Sequence, residues 1–442
     1  MAAVDRFREL LRIPTVSHAD PGETDPEPFV ALHEAMRRLY PRLHGALERH
    51  ELAGGSLLYR WPGADAAAPP LVLMAHQDVV PVVEEEWRHP PFAAEIVRGG
   101  DGDEIHARGA IDDKGALVAI LEAVEDLVSA GTVPPRDVWL AFGHDEETHG
   151  SGARAIVAEL RGRGVRPGLV LDEGGAVVEG VLPGLRAPAA MIGVAERGIA
   201  TFVLTAREQG GHASTPPRMP ATARLARAID RIRRRPFPLR LADPVRAMLA
   251  SAAPHVPAPV RGVFASARAF APALTRVLAA LGPETTALVR TTAVVTRLSG
   301  APARNVLATR AAAWLNVRIL PGESLGETAA HLRRAIADPL VEIELEEGSE
   351  PSPVSPWRGP AWRRIARAVG ETLGEEIVPL PYVQLGASDS RAFAGVAEAV
   401  YRFTPFRLSR AERDALHAHD ERIRVEVWLR GIAFYRALIT AP

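Results

Sequence analysis

A chain of 442 residues, 47% hydrophobic and 24% charged, has the make-up of an ordinary globular protein with room for two domains. Its 52 basic and 54 acidic side chains leave a net charge of -2, which gives no footprint for nucleic acid or an anionic membrane. No run approaches the roughly 20 apolar residues of a membrane span, and zero cysteines exclude disulfides, thiolate metal sites and a cysteine nucleophile.

In chain order, Met1 to Arg12 places acids and arginines where a signal peptide would carry an apolar core, so a cytoplasmic protein is expected. Leu71-Val-Leu-Met-Ala75, Val138-Trp-Leu-Ala-Phe142 and Leu169-Val-Leu171 read as buried strands. Lys114 to Ala130 carries apolar residues at helical spacing and is closed by Gly131. Such alternation predicts an α/β domain with a largely parallel sheet. Near residue 193 the texture changes. Gly198 to Arg207 reads as a long antiparallel strand, followed by a helix from Ala221 to Arg235 and a proline-interrupted helical stretch from Asp243 to Leu281. Strands at Thr291–Leu298 and Ala311–Ile319, a helix at Leu325–Ala337 and a strand at Val341–Leu345 complete a β-α-β-β-α-β order, that of a smaller α+β module. The first domain is expected to resume after it. The predicted division is thus 1–192 with 346–442, interrupted by an inserted domain at 193–345 that has its own helical insertion near 240–290.

Three clusters follow predicted strands directly: His76-Gln-Asp78, His144-Asp-Glu-Glu147 and Asp172-Glu173. Residues just past the carboxyl ends of parallel strands face a common crevice. A fourth cluster, Arg108-Gly-Ala-Ile-Asp-Asp-Lys-Gly115, opens a helix. Converging buried carboxylates repel unless cations neutralise them. With only His and carboxylate ligands on offer, the chemistry points to a two-metal site that activates water.

These motifs, with Gly211-His-Ala-Ser-Thr-Pro216, occur in the order and spacing of the dizinc aminoacylase/carboxypeptidase superfamily, which the chain resembles over nearly its whole length. The resemblance implies a zinc-exopeptidase-type three-layer α/β catalytic domain with an inserted ferredoxin-like lid or dimerisation domain. It implies that His76, Asp112 and Asp172 bind one metal ion and Asp112, Glu147 and His417 another, with Asp112 as bridge and zinc as the expected metal, cobalt or manganese also being accepted. Asp113 is read as a helix N-terminal cap. Asp78 would orient His76, and Glu146 would be the general base. Of Leu416-His-Ala-His-Asp-Glu421, the family pattern His-x-x-Asn-Glu fits His417, with Asp420 in place of the usual Asn and His419 a solvated neighbour. His144 and His149 are read as polar loop residues.

In dimeric relatives the histidine matching His212 reaches the partner's site and stabilises the oxyanion; the plainer reading is a loop histidine held by Ser214. Asn305 resembles the family's lid asparagine. Arg318 suits either a substrate carboxylate or a structural ion pair. Gly386 and Ser388 belong to a turn resembling the substrate loop.

The Gly-His-Asp-Glu-Glu loop, Asp172-Glu-Gly-Gly and Asn316-x-Arg lean toward the carboxypeptidase S and N-acyl-amino-acid hydrolase branch. The expected activity is hydrolysis of an amide next to a C-terminal free amino acid, in a homodimer, on a small N-acyl amino acid or short peptide. The alternative is a dipeptidase or aminopeptidase that needs a free amine; more remote is an inactive scaffold. A serine hydrolase would need Gly-x-Ser-x-Gly, which is absent.

Overall fold

The apolar runs of the first half lie side by side. Strands Leu71–His76, Val138–Gly143 and Leu169–Val178 are parallel neighbours, with Leu71 opposite both Val138 and Leu169. They form the middle of an eight-stranded sheet in the computed structural model, which describes residues 2–442. Leu57–Trp61 and then Glu48–Glu51 extend the sheet antiparallel at one side. Val400–Arg407, parallel to Leu169–Val178, extends it at the other, followed by Ala189–Glu196 and Val378–Gln384. Every residue of Leu71–His76 and Val138–Gly143 is buried, as strands covered on both faces require. Val72, Met74 and Trp139 pack with Ile156 and Leu160 of helix Ser151–Gly162. Helices Lys114–Ser129 and Val425–Thr440 supply the further layer, where Trp428 donates to Gly115 O at 3.0 Å and stacks on Phe7 with ring centroids 4.3 Å apart. Lys114, the one lysine of the sequence, is buried there and donates to the carbonyls of Leu10 and Ile13. Burial brings its pKa down to about 7.

The chain divides into two compact units: residues up to Val194 with Ser251–Arg261 and Ser355–Pro442, and Ala195–Ala250 with Gly262–Val354. The second unit has the β-α-β-β-α-β order expected, as an antiparallel sheet in the order Thr292–Ser299, Arg310–Ile319, Gly198–Arg207, Val341–Ser349. Leu225, Ala228 and Ile232 of helix Ala221–Arg234 and Leu332 and Ile336 of helix Leu325–Ile336 bury one face of it against Phe202, Leu204 and Leu315.

Two boundaries differ from the sequence reading. The last strand runs past Leu345 to Ser349, because a bulge between Leu345 and Glu347 lets pairing with Gly198–Arg207 continue. Four glutamates in that strand mask its register in the sequence. The helical insertion is four helices, Asp243–Ala252, Ala258–Ala265, Ala271–Leu281 and Pro283–Val289. Its segment Ser251–Arg261 clusters with the first unit, where Pro257 and Val256 pack on Gly184, 3.3 and 3.9 Å from where a Cβ would stand.

A three-stranded sheet, Glu95–Gly99, Gly102–His106 and Arg422–Arg424, has consequences for the site. Pairing of His106 with Arg422 brings residues 417–421 against residues 107–112, some three hundred positions earlier.

Candidate metal centre and active site

Two parallel strands deliver functional groups at their carboxyl ends, and a third, Leu169–Val178, carries Glu173 within its length. His76 is the last residue of Leu71–His76, and Glu146 and Glu147 follow Val138–Gly143. Asp112 precedes helix Lys114–Ser129, joined to Asp113 by a cis peptide bond. The carboxylate of Asp112 stands between two imidazoles, its Oδ1 3.0 Å from His76 Nε2 and its Oδ2 3.0 Å from His417 Nε2. Glu147 Oε1 is 3.1 Å from His417 Nε2, and Glu173 Oε1 is 3.9 Å from His76 Nε2. Two triads result, His76–Asp112–Glu173 and Asp112–Glu147–His417, each compact enough for one ion, with Asp112 common to both.

Two ligands of a tetrahedral zinc, with bonds of about 2.0–2.1 Å, stand roughly 3.3 Å apart. The separations above bracket that distance. Glu147 Oε1 is buried and accepts no hydrogen bond despite its nearness to His417, as befits two ligands of one ion rather than a donor and its acceptor. The donor set of imidazoles and carboxylates suits a divalent ion.

Electrostatics make the same point. Burial, then the neighbouring carboxylates Asp389, Asp112 and Glu147, push the Glu146 carboxyl well above its usual range. Burial and Asp112 do the same to Glu173. Burial opposes charge on Asp112, but hydrogen bonds from His417 and His76 outweigh it and hold this group below the carboxylate range. The His417 imidazole is raised to about 10 by Asp112 and Glu147. So many acids in one dry place need compensating positive charge.

The expectation named Asp172 for the first ion, whereas the compact triad contains Glu173. Asp172 and Glu173 are neighbours in one strand, but its pairing with Val400–Arg407 shifts register just after Asp172, and the two carboxylates meet different partners. Glu173 is the one that joins His76 and Asp112. Asp172 lies in register with buried Arg402 on the adjacent strand and accepts from Ser390 N at 2.7 Å and from Ser388, so its carboxylate anchors the 386–391 loop. The sequence signal for this was Arg402, a charge inside the apolar run Val400–Phe406.

Asp113 occupies the helix N-cap position, yet its side chain makes no capping bond and instead accepts from His76 N at 3.2 Å. Asp78 is buried and holds several groups at once. Its carbonyl is 2.9 Å and its Oδ1 3.2 Å from His76 Nδ1; Ser17 donates to Oδ2 at 2.6 Å, and the N–H groups of Glu146 and Glu147 donate to its two oxygens at 3.2 Å each. His419 pairs with Glu86 at 2.9 Å, away from the triads, and Asp420 accepts from Arg88 N at 2.8 Å. Glu421, to which sequence reasoning gave no role, is fully buried. It accepts from Arg108 Nη1 and from the N–H groups of Gly109, Ile111 and Asp112 at 2.7–3.1 Å.

In the second unit, the pairing of Gly211–His212 with Val306–Leu307 sets His212 beside Asn305, whose carbonyl accepts from Ala213 N. His212 is exposed, with Nδ1 2.7 Å from Ser214 Oγ and accepting from Ser214 N at 3.1 Å. Arg318 donates to Asn316 Oδ1 at 3.1 Å. Gly386 is exposed, and Ser388 Oγ lies 2.7 Å from Ser390 Oγ.

The model of peptidase family M20/M25/M40 matches residues 72–441, all but the first portion of the chain. The chain belongs to this peptidase family. It is therefore an enzyme that hydrolyses amide bonds with the help of metal. Among relatives of known sequence, an N-fatty-acyl-amino acid synthase/hydrolase, PM20D1, of Xenopus tropicalis is 33% identical over 441 residues, covering 99% of this chain and 85% of its own. A probable carboxypeptidase S-like protein of Dictyostelium discoideum is 33% identical over 442 residues, covering 98% and 84%. Of solved structures, the M20 family metallo-carboxypeptidase Sso-CP2 of Sulfolobus solfataricus superposes with a TM-score of 0.69 at 17% identity, covering 100% of this chain and 99% of that one. Human carnosine dipeptidase 1 gives 0.66 at 16%, covering 99% and 95%. The M20 fold, an α/β architecture around a parallel-rich sheet, is thus that of this chain. No helix among the described residues is long and apolar enough to cross a membrane.

Proposed function

We propose that this M20 enzyme is a dinuclear, zinc-dependent hydrolase of N-acyl amino acids, releasing a free amino acid from its acyl group. The sharing of Asp112 between two imidazoles carries this reading, with Glu146 adjacent to one triad. His76, Asp112 and Glu173 hold one ion, and Asp112, Glu147 and His417 the other. A bound pair of divalent ions lowers the pKa of water and polarises a carbonyl oxygen.

The chain's own residues do the rest. Glu146 takes the proton from the attacking water and delivers it to the departing amine. The half-buried Glu146, with its N–H fixed to Asp78, suits a group that must meet substrate in one position. Asp78 holds His76 through Nδ1, leaving Nε2 for the ion. His212 accepts at Nδ1 from Ser214 N, so the neutral ring carries its proton on Nε2, ready to donate to an oxyanion. Asn305 beside it, Arg318, and Gly386 and Ser388 in the other unit are assigned to substrate binding. The named substrates of the vertebrate-type relatives supply the acyl amino acid class, and the carboxypeptidase S-like ones supply a C-terminal free amino acid. A homodimer through the inserted unit is part of this reading, supported by Val294 and Leu298, exposed on an edge strand of that sheet.

The test is release of amino acid from N-acyl amino acids and dipeptides, before and after chelation and zinc readdition, with Glu146→Gln in parallel. Zinc-restorable turnover of blocked substrates, lowered at least about a hundredfold in the variant, is expected. Turnover confined to substrates with a free amine would replace this reading with a dipeptidase.

A further inference from the structure

The near-balance of charge over the whole chain conceals a local excess. Residues 209–283 hold twelve arginines against two acids, Asp230 and Asp243, so this stretch is strongly basic and the remainder of the chain acidic. From residue 244 to residue 283 no acid occurs at all. Some of the charge is neutralised close by: Arg224 and Arg227 pair with Asp338 at 2.9 and 2.7 Å, Arg233 and Arg234 with Asp230 at 2.9 and 2.7 Å, and Arg246 with Asp243. Arg268 and Arg276, in the helical insertion, are exposed and have no acid partner among the described residues. Arg276 Nη1 donates to Pro272 O at 3.0 Å, a bond inside its own helix that leaves the charge in place.

The surface beside these two arginines is apolar. Helix Ala271–Leu281 has Arg276 as its one charged residue and is held to the protein by buried Leu274, Thr275 and Leu278. A helix anchored along one stripe normally turns polar residues to the water. Here Phe270, Val277 and Leu281 are instead 45%, 53% and 54% exposed. Spacings of seven and four residues set the three on one stripe, with exposed Ala273 and Ala280 between them. The stripe and both arginines belong to the second unit, on a different element from the edge strand Thr292–Ser299 to which the dimer was assigned.

The pairing of an apolar stripe with unneutralised arginines narrows what can cover it. A nucleic acid would engage the arginines but leave Phe270, Val277 and Leu281 in water. A second copy of the same stripe would bring arginine toward arginine with no acid nearby to relieve the repulsion. A bilayer containing anionic lipid offers both partners at once, phosphates for the guanidinium groups and acyl chains for the apolar side chains. We infer that the stripe Phe270–Val277–Leu281, flanked by Arg268 and Arg276, seats the second unit on an anionic membrane surface. The helix lies on the surface and does not cross it, in keeping with its eleven residues. Nothing in this inference depends on the reaction proposed above.

The test is flotation of the full chain with vesicles of phosphatidylcholine alone or mixed with phosphatidylglycerol. The wild type is expected to bind the mixed vesicles saturably, at least about tenfold more tightly than phosphatidylcholine alone, and to lose that margin as salt is raised. Two variants divide the surface: Phe270→Ser with Val277→Ser and Leu281→Ser removes the apolar stripe, and Arg268→Glu with Arg276→Glu inverts the flanking charge. All five positions are exposed, so native melting behaviour is expected of both proteins, with affinity for mixed vesicles lowered about tenfold or more in each. Val133→Ser, at a position of the first unit that is 63% exposed, matches the wild type. Failure of the wild type to bind mixed vesicles overturns the inference, as does unchanged binding by either natively melting variant. Binding to duplex DNA without binding to vesicles would assign the arginines to nucleic acid instead. A change of oligomeric state in the serine variant, seen by light scattering in a protein that ignores vesicles, would assign the stripe to a second copy.

Discussion

Glu173→Gln and Asp172→Asn separate two neighbouring carboxylates that meet different partners. On the proposed dinuclear zinc reading, Glu173→Gln is expected to retain about one equivalent of zinc after dialysis in place of two, because one triad loses a carboxylate. Asp172→Asn is expected to keep both equivalents but raise KM, since its amide offers one acceptor oxygen to two donors, Ser390 N and Ser388, and no charge to Arg402; metal analysis beside steady-state kinetics distinguishes the two. His33 gives a pH prediction. Burial lowers its pKa, with Glu51 acting to raise it and Arg49 and Arg37 to lower it further. Above the unfolded value of about 6.5 neither state is protonated and the group is neutral in effect. As pH falls through that value, the unfolded chain gains a proton that the folded chain refuses, so stability drops. Denaturation of His33→Gln between about pH 7 and 5 should show a shallower acid decline than the wild type, by up to roughly 1.4 kcal/mol per pH unit. That His76, Asp112, Glu147 and His417 stand together in the two triads follows the family resemblance of their motifs, whereas the residues by themselves offer only clusters of acids and histidines at strand ends and loops. Which of Asp172 and Glu173 joins them is not legible, since two adjacent acids are told apart only by the partners the fold gives each, His76 and Asp112 for one and Ser390 N for the other.

Among the elements, the three-stranded sheet that pairs Gly102–His106 with Arg422–Arg424 assembles the centre, and Glu421 clamps it. One carboxylate takes four hydrogen bonds from residues 108–112, and Arg108 also donates to the carbonyl of Ala418, so the segments bearing Asp112 and His417 are held as one piece. Glu421→Gln leaves every ligand in place yet removes the charge that faces Arg108. Zinc affinity measured by competition with a chelator is expected to fall about 10–100-fold, the usual cost of losing a group behind the ligands. Unchanged affinity would mean that the clamp does not govern the centre. Such long-range roles are hidden in a sequence because they depend on pairing between segments far apart. Short, wholly apolar strands are visible for the opposite reason, whereas Val341–Ser349 shows only its first half before glutamates obscure the rest.

At the scale of the molecule, the two triads draw on positions 76, 112, 147, 173 and 417, so ions held there as proposed would tie together sections of chain that sequence keeps apart. Metal that binds only the folded state stabilises it by about 2.7 kcal/mol per site at a free concentration a hundred times Kd. Chelation is therefore expected to lower Tm by several degrees in scanning calorimetry, and zinc to restore it. Lys114 sets a different property of the whole surface. Its ammonium is enclosed between helices, and it is the chain's one lysine. The exterior thus carries cationic side-chain charge as guanidinium, with no other ammonium among the side chains, and with zero cysteines it has no thiol either. Acetylation, carbamylation, isopeptide attachment and maleimide coupling find no lysine or cysteine nucleophile there. A cysteine introduced at an exposed position such as Val133 becomes a solitary reactive handle, so a fluorophore or tether can be set on this protein at one chosen atom without background.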